Sequence, residues 1–323
     1  MLSNIIFSIN AVLPLVILMV LGFCLKREKL GLFKNPEDFF NQIDRFVFHV
    51  ALPVYIFNEI AGARVENIFN PKLAVYCVSG ILLSFLILTL TVPVFIKKKA
   101  TRGAFIHGIY RSNFAILGVS LAKNLFGDLG SSTAALIMPF AIPLYNVLAV
   151  VILTVNAEDT ENPGNNNNLG KIILGIIKNP LIIAVILALP FMILKVSFPQ
   201  AIHKSVSYIA NTSTPLALMS LGAGIDLRVL KTKGKLSLIA SLIKTVICPV
   251  VFIIPAVLLG FRDAALVVIF VIFAAPTAVG TYIMAKNMKS DYELAGQIIV
   301  LTTLICPFTV FFGSFILKSL GLI

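Results

Sequence analysis

The residues that could do chemistry lie in a strongly apolar chain, in a stretch that runs from Tyr110 to Asp128. This stretch holds the guanidinium of Arg111, the amide of Asn113 and the hydroxyls of Ser112 and Ser120. Gly118 lies in the middle of it. Such groups cost free energy in hydrocarbon unless they are paired or hydrated, so a membrane segment holds them for a reason. A guanidinium can bind a carboxylate through two parallel hydrogen bonds, and an amide can both donate and accept. The stretch therefore predicts a binding site for a small anion.

A second polar stretch near the other end of the chain repeats the first. Residues 122–124 (Ala-Lys-Asn) return as residues 285–287, 163 positions later, and Asp128 returns as Asp291 at the same offset. Four prolines also recur 162 to 166 positions later, in the pairs Pro14 and Pro180, Pro53 and Pro215, Pro93 and Pro255, and Pro143 and Pro307. The candidate residues of the second stretch are Pro276, Thr277, Gly280 and Thr281. Two polar, interrupted segments in matching places of two halves are typical of a transporter's binding site.

The composition defines the class of protein that must position these residues. The chain has 323 residues, of which 59% are hydrophobic and 12% charged, and its mean hydropathy is +1.00. This composition predicts an all-α polytopic membrane protein embedded in the lipid bilayer. The net charge of +12 comes from basic residues in short loops, which is the pattern of orientation signals and does not indicate a nucleic-acid partner. The cysteines and histidines have no metal-ligand spacing, and we expect no metal and no cofactor.

Apolar runs and their breakers predict about ten transmembrane helices. They cover roughly 5–25, 38–60, 73–96, 103–126, 131–155, 171–194, 201–226, 236–259, 262–286 and 292–317. The polar segment 156–168 divides them into two sets of five. We therefore expect a first five-helix repeat over 1–155, a linker over 156–170 and a second five-helix repeat over 171–323.

The distribution of Lys and Arg predicts the orientation in the plasma (inner) membrane, with both termini outside and the central linker cytoplasmic. An odd number of spans in each half makes the two repeats antiparallel, which predicts an inverted repeat with broken, crossing fourth and ninth helices. Gly118 and Gly280 permit unwinding at low steric cost. If both breaks meet at the midplane, two half-helix N-termini can face one anion.

Several of these residues also have purely structural interpretations. The two glycines can mark ordinary helices that pack tightly, and Asn113 can make an interhelical hydrogen bond. Arg111 can extend to the interface or pair with an acid such as Asp44, and Lys286 can anchor the chain at the interface. The cluster of Asn211, Thr212, Ser213 and Thr214 can hold a cation, line the substrate path or satisfy carbonyls freed by Pro215. Asn146 is a candidate supporting or path-lining residue.

The whole chain resembles the auxin efflux carrier family, in particular its bacterial branch of malate and malonate permeases. The resemblance rests on residues 111–118, 178–181, 215–222 and 275–286. It implies a scaffold of spans 1, 2, 6 and 7, often dimeric, and a mobile transport domain of spans 3–5 and 8–10. It also implies that Asn113 contacts substrate. The prolines at the helix crossing of the plant PIN carriers correspond to Ser120 and Thr281, a departure from that pattern.

These observations predict a secondary active transporter of a small organic anion, a mono- or dicarboxylate, with elevator-type alternating access. We expect a homodimer driven by the membrane potential or by a gradient of H⁺ or Na⁺. The chain has no enzyme motif. The alternatives are a sodium-coupled transporter of the bile-acid-symporter type and a membrane sensor that does not transport.

Overall fold

The computed structural model describes residues 2–27, 33–62, 70–157, 169–196, 198–225 and 227–323. Within these ranges every secondary-structure element is a helix, and the only β-type pairing is an isolated bridge between Ser112 and Thr277. The predicted all-α class is therefore confirmed. Most of the predicted linker, residues 158–168, lies outside the described residues.

The helices follow the apolar runs closely. In chain order they are α1 (Leu2–Arg27), α2 (Pro36–Phe46), α3 (Leu52–Ala61), α4 (Pro71–Phe95), α5 (Lys99–Tyr110), α6 (Val119–Val155), α7 (Leu169–Ile177), α8 (Pro180–Ile193), α9 (Gln200–Ala223), α10 (Leu227–Leu242), α11 (Cys248–Leu258), α12 (Asp263–Ala274), α13 (Gly280–Asn287) and α14 (Tyr292–Ser319). Three single π-helical turns accompany these helices. Val47–Ala51 joins α2 to α3, and Ile243–Ile247 joins α10 to α11. Phe114–Gly118 directly precedes α6.

Three of these helices begin at an Asn-Pro pair. In each pair the asparagine side chain accepts a hydrogen bond from a backbone N–H of the first turn, and the proline occupies the first helical position. The pairs are Asn35-Pro36 of α2, Asn70-Pro71 of α4 and Asn179-Pro180 of α8. Proline suits this position because its missing N–H would have no partner within the helix and its φ is already helical. The local sequence therefore defines where these helices start.

Four helical segments in the described part of the chain are long and apolar enough to cross a bilayer. They are Pro71–Phe95, Val119–Val155, Lys233–Leu258 and Tyr292–Ser319. The helices α8 and α12 are apolar but shorter. Many large apolar side chains are exposed on the outer surface, as expected for a protein whose solvent is lipid.

The helices pack in two groups. In the first group α1 packs on α9, and α3 packs on α8 and α9. In the second group α12 packs on α6 and α11, and α10 packs on α14. The contact between α1 and α9 is very close, because a Cβ atom on Gly222 would lie only 1.9 Å from the Met19 carbonyl oxygen. The candidate site lies where the two groups meet.

Candidate functional site

Two helix interruptions meet inside the protein. The first consists of Arg111, Ser112 and Asn113, which separate α5 from the π-helical turn that starts at Phe114. The second covers 275–279, between α12 and α13. The Asn113 N–H donates to the Pro276 carbonyl at 2.8 Å. The two interruptions therefore contact each other through their backbones.

The second interruption has a clear cause in the sequence. Pro276 has no N–H to continue the helix, and it disfavours the helical conformation of Ala275, whose φ is −59° and ψ 147°. Thr277 then binds groups left free by the break. Its hydroxyl donates to the Gly108 carbonyl near the end of α5 at 2.6 Å, and its N–H donates to the Thr302 hydroxyl at 3.1 Å.

The predicted glycines are not the points of interruption. Gly118 has helical φ and ψ of −63° and −48° and lies five residues after Asn113, within the π-helical turn. A Cβ atom there would lie 2.6 Å from the Phe114 ring, so the glycine is needed for packing. Gly280 begins α13, after the non-helical residues have ended. The first break therefore lies at least five residues before Gly118, whereas the second ends directly before Gly280.

A cavity of about 60 Å³ adjoins both interruptions. Side chains and backbone from both helix groups line it. The lining residues are Leu52, Tyr55 and Ile56 of α3, 111–115 of the first interruption and its π-helical turn, Ile142, Tyr145 and Asn146 of α6, Ser213, Thr214 and Ala217 of α9, and 278–280 at the second interruption. A single water needs roughly 10–15 Å³. The cavity therefore has room for a few waters or a ligand of similar bulk.

The Arg111 guanidinium is the positive charge of this cavity. Its side chain is buried, and Arg111 as a whole is only 6% exposed. Nη2 donates to the Asn146 amide oxygen at 2.9 Å, whereas Nη1 lies 3.0 Å from the Met284 sulfur and 3.4 Å from His107 Nε2. No carboxylate of the described residues forms an ion pair with it. A buried cation that has only neutral neighbours favours the binding of an anion.

Two helix N-termini add to this positive potential. The π-helical turn that leads into α6 starts at Phe114, and α13 starts at Gly280, both of which line the cavity. The first N–H groups of a helix have no carbonyl partner within it and carry partial positive charge. At α13 the Thr281 and Tyr282 N–H groups already donate to the Ala278 and Val279 carbonyls, at 3.0 and 3.2 Å. The donors for a ligand held beside Arg111 are therefore the Gly280 N–H and the first N–H groups after Asn113.

The structure brings some of the other candidate residues to the cavity and leaves others away from it. Asn113 lines the cavity and is buried, as is Asn146. Pro276 and Thr277 form the crossing itself through their backbones. Thr281 is fully buried next to Gly280. Ser120 lies on an exposed part of α6 and is not among the lining residues.

Only part of the polar cluster of α9 reaches the cavity. Ser213 and Thr214 line the cavity, whereas Asn211 is exposed and the Thr212 hydroxyl donates to the Ile209 carbonyl at 2.7 Å. No group of His, Cys, Asp and Glu that could hold a metal occurs among the residues the structure describes. The cluster therefore contributes two hydroxyls to the cavity wall.

Asp44 and Lys286 form an ion pair with each other, which the sequence alone does not predict. Asp44 is 2% exposed and pairs with Lys286, whose Nζ lies 2.5 Å from its Oδ2, so it is not a partner of Arg111. The Ser220 hydroxyl donates to the other carboxylate oxygen. Lys286 therefore does not simply anchor the chain at the interface. It joins α13 to α2 through Asp44, and Asp44 in turn accepts the hydrogen bond from Ser220 of α9.

Sequence reasoning missed Tyr55, Tyr145, His107 and Met284, which line the cavity or contact Arg111. Aromatic residues and methionine are common in any apolar helix, so their types carried no signal. The one available hint was position, because Tyr145 directly precedes Asn146 in a run that is otherwise apolar.

A buried polar crossing within an apolar helical protein is typical of membrane transporters. The sequence profile of the family described as membrane transport protein matches residues 7–313, and the chain belongs to this family. This match confirms the resemblance to the auxin efflux carrier family.

Three relatives illustrate the range of the family. The chain is 23% identical over 316 residues to the "Putative malonate transporter" of Rhizobium meliloti (strain 1021), and the match covers 95% of each chain. It is 24% identical over 303 residues to the uncharacterized transporter MJ1031 of Methanocaldococcus jannaschii, which covers 91% of this chain and 94% of the relative. It is 25% identical over 221 residues to the uncharacterized transporter YfdV of Escherichia coli (strain K12), which covers 67% and 68%.

Proposed function

We propose that this membrane transporter is a secondary active transporter of a small organic anion, a mono- or dicarboxylate. The observation that carries the proposal is Arg111, a buried cation with neutral neighbours on the wall of a cavity of about 60 Å³. A carboxylate bound there would supply the missing negative charge. Asn113 and the first N–H groups after the two interruptions would satisfy its remaining oxygen lone pairs.

The name of one relative supports this choice of substrate class. The Rhizobium meliloti relative is named "Putative malonate transporter", and malonate is a three-carbon dicarboxylate. Malonate has seven heavy atoms, and a cavity of about 60 Å³, with room for roughly four to six waters, is one that it would fill. The cavity walls combine apolar residues such as Leu52 and Ile56 with a few polar groups, which is usual for sites of small ligands.

The proposal includes an architecture of two inverted five-helix repeats, over 1–155 and 171–323, joined by a cytoplasmic linker over 156–170 with both termini outside. Two features support it. The interruptions come at corresponding places in the two halves, and they meet through an antiparallel bridge between Ser112 and Thr277. The distribution of basic residues in the loops supports the proposed orientation.

Transport would proceed by movement of one helix group against the other. The cavity is lined by α3 and α9 of the first group and by both interruptions, which belong to the second. The ion pair of Asp44 on α2 with Lys286 on α13 would break and reform in each cycle. We further propose that the first group forms the scaffold of a homodimer, as the family resemblance implies, and that a gradient of H⁺ or Na⁺ or the membrane potential supplies the energy.

Thermal stability of the detergent-solubilised protein tests the substrate class. A ligand that binds only the folded state stabilises it by about 2.7 kcal/mol at a concentration one hundred times Kd. We expect malonate or a related carboxylate to raise Tm, and the uncharged diamide of malonate to leave it unchanged. Repeating the measurement with and without Na⁺ and across pH identifies the coupling ion. If no organic anion shifts Tm under any of these conditions, the proposed function is wrong.

Replacing the amide of the crossing should weaken binding without unfolding the protein. Loss of a hydrogen bond to a charged partner costs about 1.5–3 kcal/mol, so Asn113→Ala should raise Kd roughly ten- to hundredfold. Asn113→Asp should be worse, because the new carboxylate would repel the anion and compete for Arg111. Isothermal titration gives Kd and calorimetry gives Tm. Asn124→Ala is the control, since Asn124 lies on an exposed part of α6. An Asn113→Ala protein that melts early yet binds normally would make the residue an interhelical contact only.

A further inference from the structure

Two residues that line the cavity carry buried hydroxyls that lack hydrogen-bond partners in the protein. In the described part of the chain, six buried side-chain atoms have none, and two of them are Ser112 Oγ and the Tyr145 hydroxyl. Ser112 is 5% exposed and Tyr145 4%, and both residues line the cavity. A buried polar atom without a partner costs free energy, and native proteins keep few of them. These two therefore need an explanation beyond packing.

Their positions relate them to Arg111. Ser112 follows Arg111 in the first interruption, and Tyr145 precedes Asn146, whose amide oxygen accepts from Arg111 Nη2 at 2.9 Å. The two hydroxyls thus come from the chain segments that hold the guanidinium in place. The Tyr145 ring is fixed by stacking on the ring of Tyr110, with centroids 6.3 Å apart. The ring that carries this hydroxyl is therefore held by a neighbouring aromatic side chain.

Arg111 and Asn113 account for one carboxylate of a bound anion and leave these hydroxyls unused. Serine and tyrosine hydroxyls can each donate one hydrogen bond. A site built to hydrogen-bond a particular group discriminates strongly against an analogue that lacks it, because the buried polar groups are then left unpaired. Two such hydroxyls favour a ligand with a second hydrogen-bond acceptor.

We propose that Ser112 and Tyr145 form a second subsite of the cavity, which binds an acceptor group other than the carboxylate held by Arg111. This inference rests on the proposed function and deepens it, because it identifies residues that determine specificity. The acceptor is either a second carboxylate or a hydroxyl group on a short carbon chain. Both present oxygen lone pairs to the two donors.

Three anions with three carbons each distinguish a carboxylate acceptor from a hydroxyl acceptor. Malonate has a second carboxylate, lactate has a hydroxyl, and propionate has neither. For the wild-type protein we expect propionate to bind more weakly than malonate, lactate or both. Tyr145→Phe should raise the Kd of the favoured probe about ten- to hundredfold if it is malonate, and about three- to tenfold if it is lactate, with little change for propionate. Ser112→Ala should act in the same direction.

Thermal stability provides a second readout that a structural role would not produce. The Tyr145 hydroxyl has no partner in the protein alone, so Tyr145→Phe should leave Tm unchanged or raise it. Tyr76→Phe is the matched control, because the Tyr76 hydroxyl donates to the Phe252 carbonyl at 2.6 Å and lies away from this cavity. Its Tm should fall while its preference among the three probes is kept.

The outcomes separate this inference from the proposed function. If the wild-type protein binds one of the three anions but Tyr145→Phe and Ser112→Ala keep its preference, the hydroxyls contact only water and the second subsite is wrong. If the wild-type protein binds neither these three anions nor any other organic anion, the proposed function fails as well. Selectivity lost in both variants with Tm maintained supports the subsite.

Discussion

Arg111→Met should abolish high-affinity anion binding and leave a folded protein. Removing one member of a buried, hydrogen-bonded charge pair costs about 2–5 kcal/mol, so we expect Kd to rise roughly thirty- to several-thousandfold. Methionine keeps much of the length of the side chain without its charge. Tm of the ligand-free protein should not fall steeply, because in the described residues this cation has no ion-pair partner to lose. Isothermal titration measures the loss of affinity, and uptake into proteoliposomes measures the loss of transport.

The charge and the geometry of Arg111 can be separated by a second substitution. Arg111→Lys keeps a positive charge but lacks the planar fork, so it should retain only part of the affinity. Arg102→Met is the control from the preceding helix α5, since the Arg102 guanidinium donates to the Ile96 and Lys97 carbonyls near the start of that helix. It should bind as the native protein does. Native affinity in Arg111→Met would show that the anion binds elsewhere.

The positions of the helices could be predicted closely from the sequence, whereas the points of interruption could not. The apolar runs reflect a local property, the hydrophobicity of successive residues, and the helix bounds follow them. The first interruption has no breaker of its own, because neither proline nor glycine occurs among residues 111–113. It is stabilised by contacts with the second interruption, such as the hydrogen bond from Asn113 to Pro276. A contact between residues so far apart leaves no periodic pattern in the sequence.

The candidate site was predictable only in part, for the same reason. Polar residues in an apolar segment stand out, so Arg111 and Asn113 can be recognised from the sequence alone. Tyr145 and Asp44 come from helices distant in sequence, and their importance depends on what they face. The sequence allows Asp44 as a partner of Arg111, but its carboxylate faces Lys286, which follows the second interruption. The choice between such partners depends on the tertiary packing of α2 against α9 and α13.

Gly280→Leu should abolish binding by filling the cavity. A Cβ atom at Gly280 would lie 3.5 Å from the Leu52 side chain and 3.7 Å from Arg111 Nη2, which are ordinary contacts, so the backbone can accept a side chain there. The remaining atoms of a leucine would then occupy most of a cavity of about 60 Å³ and cover the guanidinium. We expect Kd to rise by two orders of magnitude or more, roughly 3 kcal/mol, while Tm changes by only a few degrees.

Gly118→Leu provides the contrast, because its effect should fall on stability. A Cβ atom there would lie 2.6 Å from the Phe114 ring and 3.3 Å from Val271, and forcing atoms into packed regions costs about 1–3 kcal/mol. Gly234→Leu is the neutral control, since nothing lies within 4 Å of its Cβ position. Gly280→Ala should give a smaller loss of affinity than Gly280→Leu, because one methyl group leaves part of the cavity open. If Gly280→Leu binds malonate like the native protein, the anion does not occupy this cavity, and the roles of Arg111 and Asn113 are wrong together.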